Sequence, residues 1–251
     1  MDSKHLVYGL RPVMEAVKSG REIDKIYIQS NLQGKLFGEL TVLLAQRGRT
    51  IACQYVPLEK LDRLVKRQNH QGVVAQLSLI EYRDVEQVLE ETEQRGEVPF
   101  LLMLDGVTDV RNLGAIARSA ECAGVHAIIV PQQSTAPINQ DAIRTSAGAL
   151  LKIPVCRVAN TKSLINQVKS FGLKVYAATE KTKNDYTGMH ATEPLMIIMG
   201  NEERGINSSL IKMADELISI PIKGDIESLN VSVAAGVLLY EVVRQRENVS
   251  K

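Results

Sequence analysis

Two stretches in the last third of the chain decide the fold: Gly200-Asn-Glu-Glu-Arg-Gly205 and Ile220-Pro-Ile-Lys-Gly-Asp-Ile-Glu-Ser-Leu-Asn-Val-Ser-Val-Ala-Ala-Gly236. Each follows an apolar run typical of a buried strand, and the second leads into an apolar helix. Polar side chains that could contact a ligand stand in both stretches: Glu202, Glu227, Ser228 and Asn230. Because parallel α/β sheets bind ligands at the carboxyl ends of their strands, this pattern predicts a ligand site there.

A third stretch, from Leu104 to Ala120, joins another predicted strand, Phe100–Leu104, to a polar loop and a helix. We predict that this helix starts near Asn112, whose side chain could serve as its N-cap. Arg118 stands six residues further along the same helix. An isolated helical arginine is usually a surface charge, but its apolar neighbours indicate a packed helix and favour a functional role.

Strand and helix patterns alternate along the rest of the chain. Residues 1–80 form a small predicted α/β module, and residues 98–251 carry strands alternating with helices, one of them Asp141–Leu150. This alternation predicts a mostly parallel sheet that is covered on both faces. Residues 81–97 between them predict an acidic helix, either a linker or the first piece of the second domain.

The charge of the 251-residue chain is small overall but unevenly distributed. Residues 1–80 hold 12 Lys and Arg against 7 Asp and Glu, whereas residues 81–97 hold 2 against 7. A basic N-terminal module permits contact with nucleic acid. Because the chain has no Trp and only three Phe, base-stacking platforms are not expected.

Several classes of site are excluded by what the sequence lacks. It contains no Gly-x-Gly-x-x-Gly, Walker-type or Gly-x-Ser-x-Gly motif. The four His show no ligand spacing, so no metal is expected. Cys53, Cys122 and Cys156 lie far apart and cannot all pair, which favours the reducing cytoplasm. No apolar run is long enough to span a membrane.

The three stretches together resemble the signature motifs of the SpoU family, within the SPOUT class of S-adenosylmethionine-dependent RNA methyltransferases. The matching segments are Asp105–Ala120, Met199–Gly205 and Ile220–Ala235. The first motif departs at Val110, where Pro is common. Losing Pro frees the backbone φ angle and restores an N–H donor, so a less rigid loop is expected.

The N-terminal part also carries a resemblance. Val7-Tyr-Gly9 and His70-Gln-Gly72 are similar to segments of the substrate-binding domain that precedes the catalytic domain in many members of the family. Those domains resemble ribosomal proteins of the L30e type, which bind RNA. The resemblance therefore implies an L30e-like RNA-binding domain over residues 1–80 and a catalytic domain over residues 98–251.

The resemblance implies a fold that periodicity would not suggest. A SPOUT-type α/β parallel sheet is expected, with a deep C-terminal trefoil knot formed by about Glu216–Arg246, an exception to unknotted topology. A homodimer is implied, with the active site near the subunit interface. S-adenosylmethionine would bind in the knot, held largely by backbone groups. The implied cofactor-binding residues are Thr179, Gly200, Asn201, Gly205, Ile220 and Leu229.

The resemblance also implies the catalytic residues: Arg118, Asn112, Glu202, Ser228 and Asn230. Arg118 would act on a ribose 2′-hydroxyl, either as a base or by stabilising the alkoxide. Because a guanidinium gives up its proton only far above neutral pH, the electrostatic role is preferred. Asn112 would orient the ribose or hold Arg118, and Glu202 would position that network. The two residues of the third motif would fix its loop and contact the nucleotide.

The implied substrate is a guanosine of 23S ribosomal RNA. A tRNA ribose methyltransferase of the TrmH type is the first alternative, although that group usually lacks the N-terminal module. A catalytically silent RNA-binding or ribosome-assembly protein is the second, because a fold does not by itself imply a function. Neither a metal nor a membrane is an expected partner.

Overall fold

A computed structural model describes residues 5–46, 51–226 and 228–249 of the chain. Glu227, one of the polar residues of the third motif, lies outside the described residues. The chain divides into two compact units, Met1–Glu81 and Tyr82–Lys251. Nearly all of the acidic segment 81–97 thus falls in the second unit.

The N-terminal unit is a four-stranded sheet with helices on both faces. Its elements are β1 (Leu6–Tyr8), α1 (Leu10–Lys18), β2 (Ile23–Gln29), α2 (Lys35–Gln46), β3 (Ala52–Val56), α3 (Leu58–Leu64) and β4 (Val73–Leu77). The strand order is β1-β4-β2-β3. Strand β2 runs parallel to β3, and β4 runs antiparallel to both β1 and β2. Ile26 and Ile28 pack with α1 and α2, whereas Tyr27 packs with α3 on the other face.

The second unit is built on a seven-stranded sheet in which every described pairing is parallel. Its strands are β5 (Tyr82–Arg83), β6 (Phe100–Asp105), β7 (Ala127–Pro131), β8 (Val155–Val158), β9 (Lys174–Ala178), β10 (Leu195–Gly200) and β11 (Glu216–Ile218). Its helices are α4 (Val85–Gln94), α5 (Val110–Cys122), α6 (Gln140–Thr145), α7 (Thr161–Ser170), α8 (Ser208–Ile211) and α9 (Val231–Val249). The strand order β11-β9-β10-β6-β7-β8-β5 places β10 between two strands formed earlier in the chain. The prediction of a mostly parallel sheet is therefore confirmed.

Helices cover both faces of this sheet. Leu101 and Met103 of β6 point to one face and lie in one buried cluster with residues of α4, α7 and α8. The apolar stripe predicted for the acidic helix, Val85, Val88 and Leu89, belongs to that cluster. Successive strand residues face opposite ways, so Leu102 and Leu104 face the other side. There α9 contacts β10 and packs against α5, which in turn packs against α6.

The helix predicted over residues 141–150 is not continuous. Helix α6 ends at Thr145, and a separate 3-10 turn spans Ala149–Leu151. Between them Ala147 and Gly148 adopt left-handed conformations, with φ of 50° and 85°. The Ser146 hydroxyl donates to the Ile143 carbonyl and accepts the Leu150 N–H, so this serine offers the backbone an alternative to helical hydrogen bonds.

Arg246, in the last turns of α9, ties that helix to the amino ends of two central strands. Its guanidinium donates to the carbonyls of Val98 and Pro99, just before β6, at 2.8 and 3.1 Å. It also donates to the carbonyls of Ala191 and Glu193, before β10, at 2.9 and 3.2 Å. One planar fork thus donates to four backbone carbonyls, of which that of Pro99 also accepts the N–H of Leu195.

No helix in the described part of the chain combines the length and the apolar character that crossing a membrane requires.

His126 makes the stability of the second unit sensitive to pH. Its Nδ1 accepts the N–H of Phe100 at 2.9 Å, and its Nε2 lies 3.2 Å from Oε2 of Glu97. Burial lowers the pKa of His126; Arg246 and Arg95 act in the same direction, whereas Glu97 opposes them. The folded state therefore favours neutral His126, whose Nδ1 is free to accept.

Because the folded pKa lies below the unfolded value of about 6.5, His126 contributes stability above that pH and loses it as pH falls. We expect the free energy of unfolding to drop between about pH 7 and pH 5, with a smaller drop in His126→Asn, which does not titrate. Urea denaturation at several pH values measures this. This pH range lies above the pKa of Glu97, which is itself lowered from its ordinary value of 4.5. Equal pH dependence in both proteins would contradict the assignment.

Candidate active site at the carboxyl ends of the central strands

Three loops of the second unit meet at the carboxyl edge of its sheet. Strands β6 and β10 pair in register up to Gly200 opposite Asp105, so the loops that follow them start side by side. Oδ2 of Asp105 accepts the backbone N–H of Asn207 at 2.7 Å, and Nδ2 of Asn201 donates to the Gly106 carbonyl at 2.8 Å. The sequence analysis included Asp105 in the first motif but did not assign it a role. A charged residue at the end of an apolar strand could have indicated that it belongs to the site.

Gly200 permits the loop after β10 to fold back on itself. A Cβ atom at this position would lie 2.2 Å from the carbonyl carbon of Gly205 and 2.3 Å from the nitrogen of Ile206. Asn201 closes the loop by two backbone hydrogen bonds with Gly205, at 2.8 and 3.1 Å. Its Oδ1 also accepts the N–H groups of Glu203 and Arg204. Residue 200 must therefore be glycine.

A cavity of about 460 Å³ opens beside this loop, at the carboxyl ends of β9, β10 and β11. It is lined by all the residues that the sequence analysis assigned to a cofactor: Thr179, Gly200, Asn201, Gly205, Ile220 and Leu229. Its size lies within the roughly 300–1,000 Å³ of small-molecule sites. The structure thus brings the six residues together, while their role in binding stays a prediction.

The wall and the rim of the cavity differ in character. Val231, Ala234 and Leu238 of α9 form an apolar wall. Charged side chains of both signs stand in the lining. The sequence analysis did not assign four of these: Glu180, Lys181, Glu203 and Arg204. A ligand with an aromatic part and charged ends would fit this apolar wall and the charges around it. At Gly200 such a ligand could lie directly against the backbone.

Next to the cavity, Glu202 joins two asparagines that are distant in sequence. Nδ2 of Asn112 donates to Oε1 of Glu202, and Nδ2 of Asn230 donates to the same oxygen at 3.2 Å. Asn230 also lies within hydrogen-bond distance of Oδ1 of Asn112, at 3.2 Å. The loops after β6 and β10 and the start of α9 are thereby held in one polar network.

Asn230 has two roles in the structure. Its Oδ1 accepts the N–H of Ser232 at 2.9 Å, which is the N-cap interaction at the start of α9. At the same time its Nδ2 donates a hydrogen bond to Oε1 of Glu202 in the polar network. Asn230 therefore caps α9 and takes part in the polar network at the same time.

The expectation that Asn112 caps its helix is wrong. Helix α5 begins at Val110, and Oδ1 of Asp109 accepts the N–H groups of Arg111 and Asn112. Asn112 lies in the first turn, with its side chain free to reach Glu202. Val110 occupies the first helical position, whose N–H has no helical partner, so the absence of Pro removes only a preset φ angle.

Arg118 lies apart from the network. It is exposed on α5, about 9 Å along the helix axis from Asn112. In the described ranges it forms neither a hydrogen bond nor an ion pair, so the expectation that Asn112 holds Arg118 is not met. It shares the exposed stripe of α5 with Arg111 and Cys122, opposite the buried stripe.

Ser228 lines the cavity, and its side chain makes no hydrogen bond within the part of the chain that the structure describes.

Comparison with known proteins identifies the family. Residues 99–240 match the model of the SpoU rRNA Methylase family, and residues 6–83 match the model for RNA 2′-O ribose methyltransferase substrate binding. YacO of Bacillus subtilis, named for the TrmH family of tRNA/rRNA methyltransferases, is 36% identical over 252 residues, covering 100% of both chains. The chain belongs to the SpoU/TrmH family of RNA methyltransferases.

Two solved structures of RNA-modifying enzymes match this fold over different lengths. An rRNA methyltransferase from Sinorhizobium meliloti with S-adenosylmethionine bound has a TM-score of 0.58 and 27% identity, covering 96% of this chain and 87% of its own. A TrmH/SpoU tRNA-modifying enzyme from A. aeolicus has a TM-score of 0.56 and 28% identity. It covers 86% of its own length but only 65% of this chain.

The close approach at Gly200 provides a test of whether the cavity binds the cofactor. In Gly200→Ala the new Cβ collides with the Gly205–Ile206 peptide, so we expect loop 201–205 to be displaced. Binding of S-adenosylmethionine, measured by titration calorimetry, should weaken at least tenfold, and the free energy of unfolding should fall by about 1–3 kcal/mol.

Gly236→Ala is the matched control, because a Cβ on Gly236 in α9 meets nothing within 4 Å. It should bind the cofactor as the wild type does. If Gly200→Ala also bound normally, loop 201–205 would not be part of the cofactor site.

Proposed function

We propose that this protein transfers a methyl group from S-adenosylmethionine to the 2′-hydroxyl of a ribose in ribosomal RNA. The observation that carries this proposal is the position of the Asn112–Glu202–Asn230 network beside the cavity of about 460 Å³. Cofactor cavity, polar network and family membership together point to RNA 2′-O-methylation.

The residues of the cavity suit S-adenosylmethionine. When bound, S-adenosylmethionine supplies a methyl group attached to a positively charged sulfonium. Val231, Ala234 and Leu238 would contact its apolar parts, and the close backbone at Gly200 would lie against it. Thr179 is almost fully buried, with its N–H bonded to the Ile218 carbonyl, so it fixes the rim at the end of β9.

The network would hold the acceptor ribose. Oε1 of Glu202 accepts from both asparagines, and in the described part of the chain Oε2 accepts no hydrogen bond. Glu202 can therefore receive a hydroxyl proton of the nucleotide through Oε2 while its orientation stays fixed. Orientation of this kind is worth roughly 7–11 kcal/mol of the barrier in well-aligned displacements. Ser228, exposed at the mouth of the cavity, would contact the same nucleotide.

Arg118 would stabilise the developing 2′-alkoxide. A guanidinium loses its proton only at high cost, so it acts by charge and hydrogen bonding rather than as a base. Arg118 is exposed on α5 and lies outside the network. A second subunit would therefore have to supply the groups that surround its guanidinium. We therefore place Arg118 at a subunit interface.

The surface of α9 supports a homodimer. Val233 and Tyr240 are each 53% exposed, and they share one face of the helix with half-buried Val237. Exposed apolar residues aligned on one face are typical of an interface. Since α9 packs against α5, a symmetric pairing through α9 would bring the exposed face of α5 near the partner.

We also propose that the chain after β11 is threaded as a trefoil knot. Ser219 donates its N–H to the Asn184 carbonyl at 2.8 Å and accepts that of Tyr186 at 3.0 Å, on one side. Asn230, at the other end of this segment, bonds to Glu202 of the loop after β10. The two ends of this segment are thus held by two different earlier loops, which supports the proposed threading.

Ribosomal RNA is favoured over tRNA by the lengths of the matches. The S. meliloti rRNA methyltransferase matches 96% of this chain, whereas the A. aeolicus tRNA-modifying enzyme matches 65%. The two-domain organisation resembles that of RlmB, which methylates guanosine in 23S ribosomal RNA, and we take this as the substrate, modified in the cytoplasm. Methylation of tRNA is the second candidate, since YacO is named for both RNAs.

Transfer of tritiated methyl groups to purified 23S ribosomal RNA and to tRNA tests the proposal. After alkaline hydrolysis of 23S ribosomal RNA we expect the label in a dinucleotide, because 2′-O-methylation blocks cleavage at that nucleotide. Arg118→Ala should lower kcat at least about 100-fold while cofactor affinity stays unchanged, since the arginine lies outside the cavity. Arg144→Ala, which removes another highly exposed arginine of the same unit, is the control and should retain activity.

Label in tRNA alone would favour the TrmH-type alternative. Cofactor binding without transfer to either RNA would favour a catalytically silent protein. Loss of cofactor affinity in Arg118→Ala would mean that the arginine is structural.

The dimer is tested by Tyr240→Glu, which places a charge in the middle of the proposed apolar interface. We expect sedimentation velocity to show a monomer, with methyl transfer reduced at least tenfold because Arg118 loses its partner surface. Val42→Glu is the matched control, since Val42 is a comparably exposed apolar residue, 57%, on α2. A Tyr240→Glu protein that remains dimeric would refute the interface.

A further inference from the structure

The loop after α3 in the N-terminal unit holds an unusual backbone conformation. Lys66 and Arg67, consecutive residues, have φ of 51° and 60°, and Gln71 has φ of 50°. Residues other than glycine adopt this left-handed backbone conformation at a cost of roughly 1–2 kcal/mol each. Half of the six non-glycine residues with positive φ in the described part of the chain lie in this one loop.

Buried His70 braces the loop. Its Nδ1 accepts the N–H of Gly72 at 3.0 Å, and its Nε2 lies 3.3 Å from Oδ1 of Asp62 in α3. The Asp62 carbonyl in turn accepts the N–H of Arg67 at 2.8 Å. Both ends of the loop are thereby fixed to α3 and β4, which offsets the strain at Lys66 and Arg67.

The braced loop presents cations and amides to solvent. Lys66, Arg67, Gln68 and Asn69 are all exposed, and Arg63 of α3 is exposed beside them. Across the described ranges none of these three cations forms an ion pair. Many cations of the second unit, by contrast, have carboxylate partners: Arg83, Arg144, Lys169, Lys174 and Arg244.

Unpaired charges on a strained, anchored loop indicate a surface kept ready for an anionic partner. The loop itself contains no aromatic residue that could stack on a base. The exposed side chains of the loop are two cations and two amides, and Arg63 of α3 adds a third cation; all five can donate hydrogen bonds to phosphate oxygens. Contacts of this type position a nucleic acid without reading its sequence.

We propose that the loop Lys66–Asn69, together with Arg63, contacts the phosphate backbone of the RNA substrate, and that His70 is the positioning residue that holds this loop. The inference rests on the proposed function and goes beyond it, because it assigns the RNA contact to named residues of the N-terminal unit. An acidic protein is the other class of partner that the charges could accept.

The test compares Lys66→Gln/Arg67→Gln with the wild-type full-length protein, using protein-free 23S ribosomal RNA as the probe. Affinity should fall about tenfold near 0.1 M salt. Each lost phosphate contact makes the plot of log affinity against log salt shallower by about 0.7–0.9, so the double variant should lose about 1.4–1.8. KM should rise while kcat at saturating RNA changes less than about twofold.

Lys18→Gln/Lys35→Gln is the matched control, because it removes the same charge from exposed positions on α1 and α2. It should change affinity less than twofold. His70→Ala leaves Lys66 and Arg67 in place, yet it should reproduce the weaker binding and the shallower salt dependence. Its affinity for S-adenosylmethionine, a property of the second unit, should be unchanged.

The outcomes separate this inference from the proposed function. If the wild type methylates ribosomal RNA but Lys66→Gln/Arg67→Gln matches it in affinity and salt dependence, the inference fails and the proposed function stands. Equal losses in the double variant and in its control would mean a net-charge effect and would also overturn it. A wild type that neither binds nor methylates the RNA overturns both. Should His70→Ala unfold the N-terminal unit, the charge variants alone decide.

Discussion

The absence of a side chain at residue 200 is the constraint on which the candidate site depends. Only glycine lets the end of β10 lie against the Gly205–Ile206 peptide, and a Cβ would approach that peptide to 2.2 Å. The loop closed in this way carries Asn201, which ties it to Gly106, and Glu202, which reaches the two asparagines. The lack of a Cβ at residue 200 thus sets the position of Glu202 and of the cavity beside it.

The network around Glu202 shows why structural and functional roles are hard to separate here. Asn230 caps α9 with its oxygen and binds Glu202 with its nitrogen, so one amide serves helix stability and site geometry at once. Replacing it would affect both properties. Asn112, by contrast, is released from capping because Asp109 performs that task, which leaves its side chain to the site alone.

Much of the architecture could be predicted from the sequence, and the exceptions have physical causes. Apolar runs such as Phe100–Leu104 mark the buried strands, because a parallel strand covered on both faces is apolar throughout. The strand order could not be predicted, since β10 is inserted between β6 and β9 by contacts distant in sequence. The break after Thr145 depends on the Ser146 hydroxyl, which an apolar pattern does not register. The cofactor residues came from the family resemblance, whereas the separation of Arg118 from Asn112 follows from six residues at 3.6 per turn.

The position of α9 has a consequence for the synthesis of the protein. This last helix forms the apolar wall of the cavity, supplies Asn230 and is anchored through Arg246 to carbonyls as far as 148 residues earlier in the chain. A nascent chain whose α9 is still inside the ribosome exit tunnel lacks this wall and its anchor. The pocket can therefore form only after α9 has left the tunnel, so it is assembled later than the sheet on which it is built.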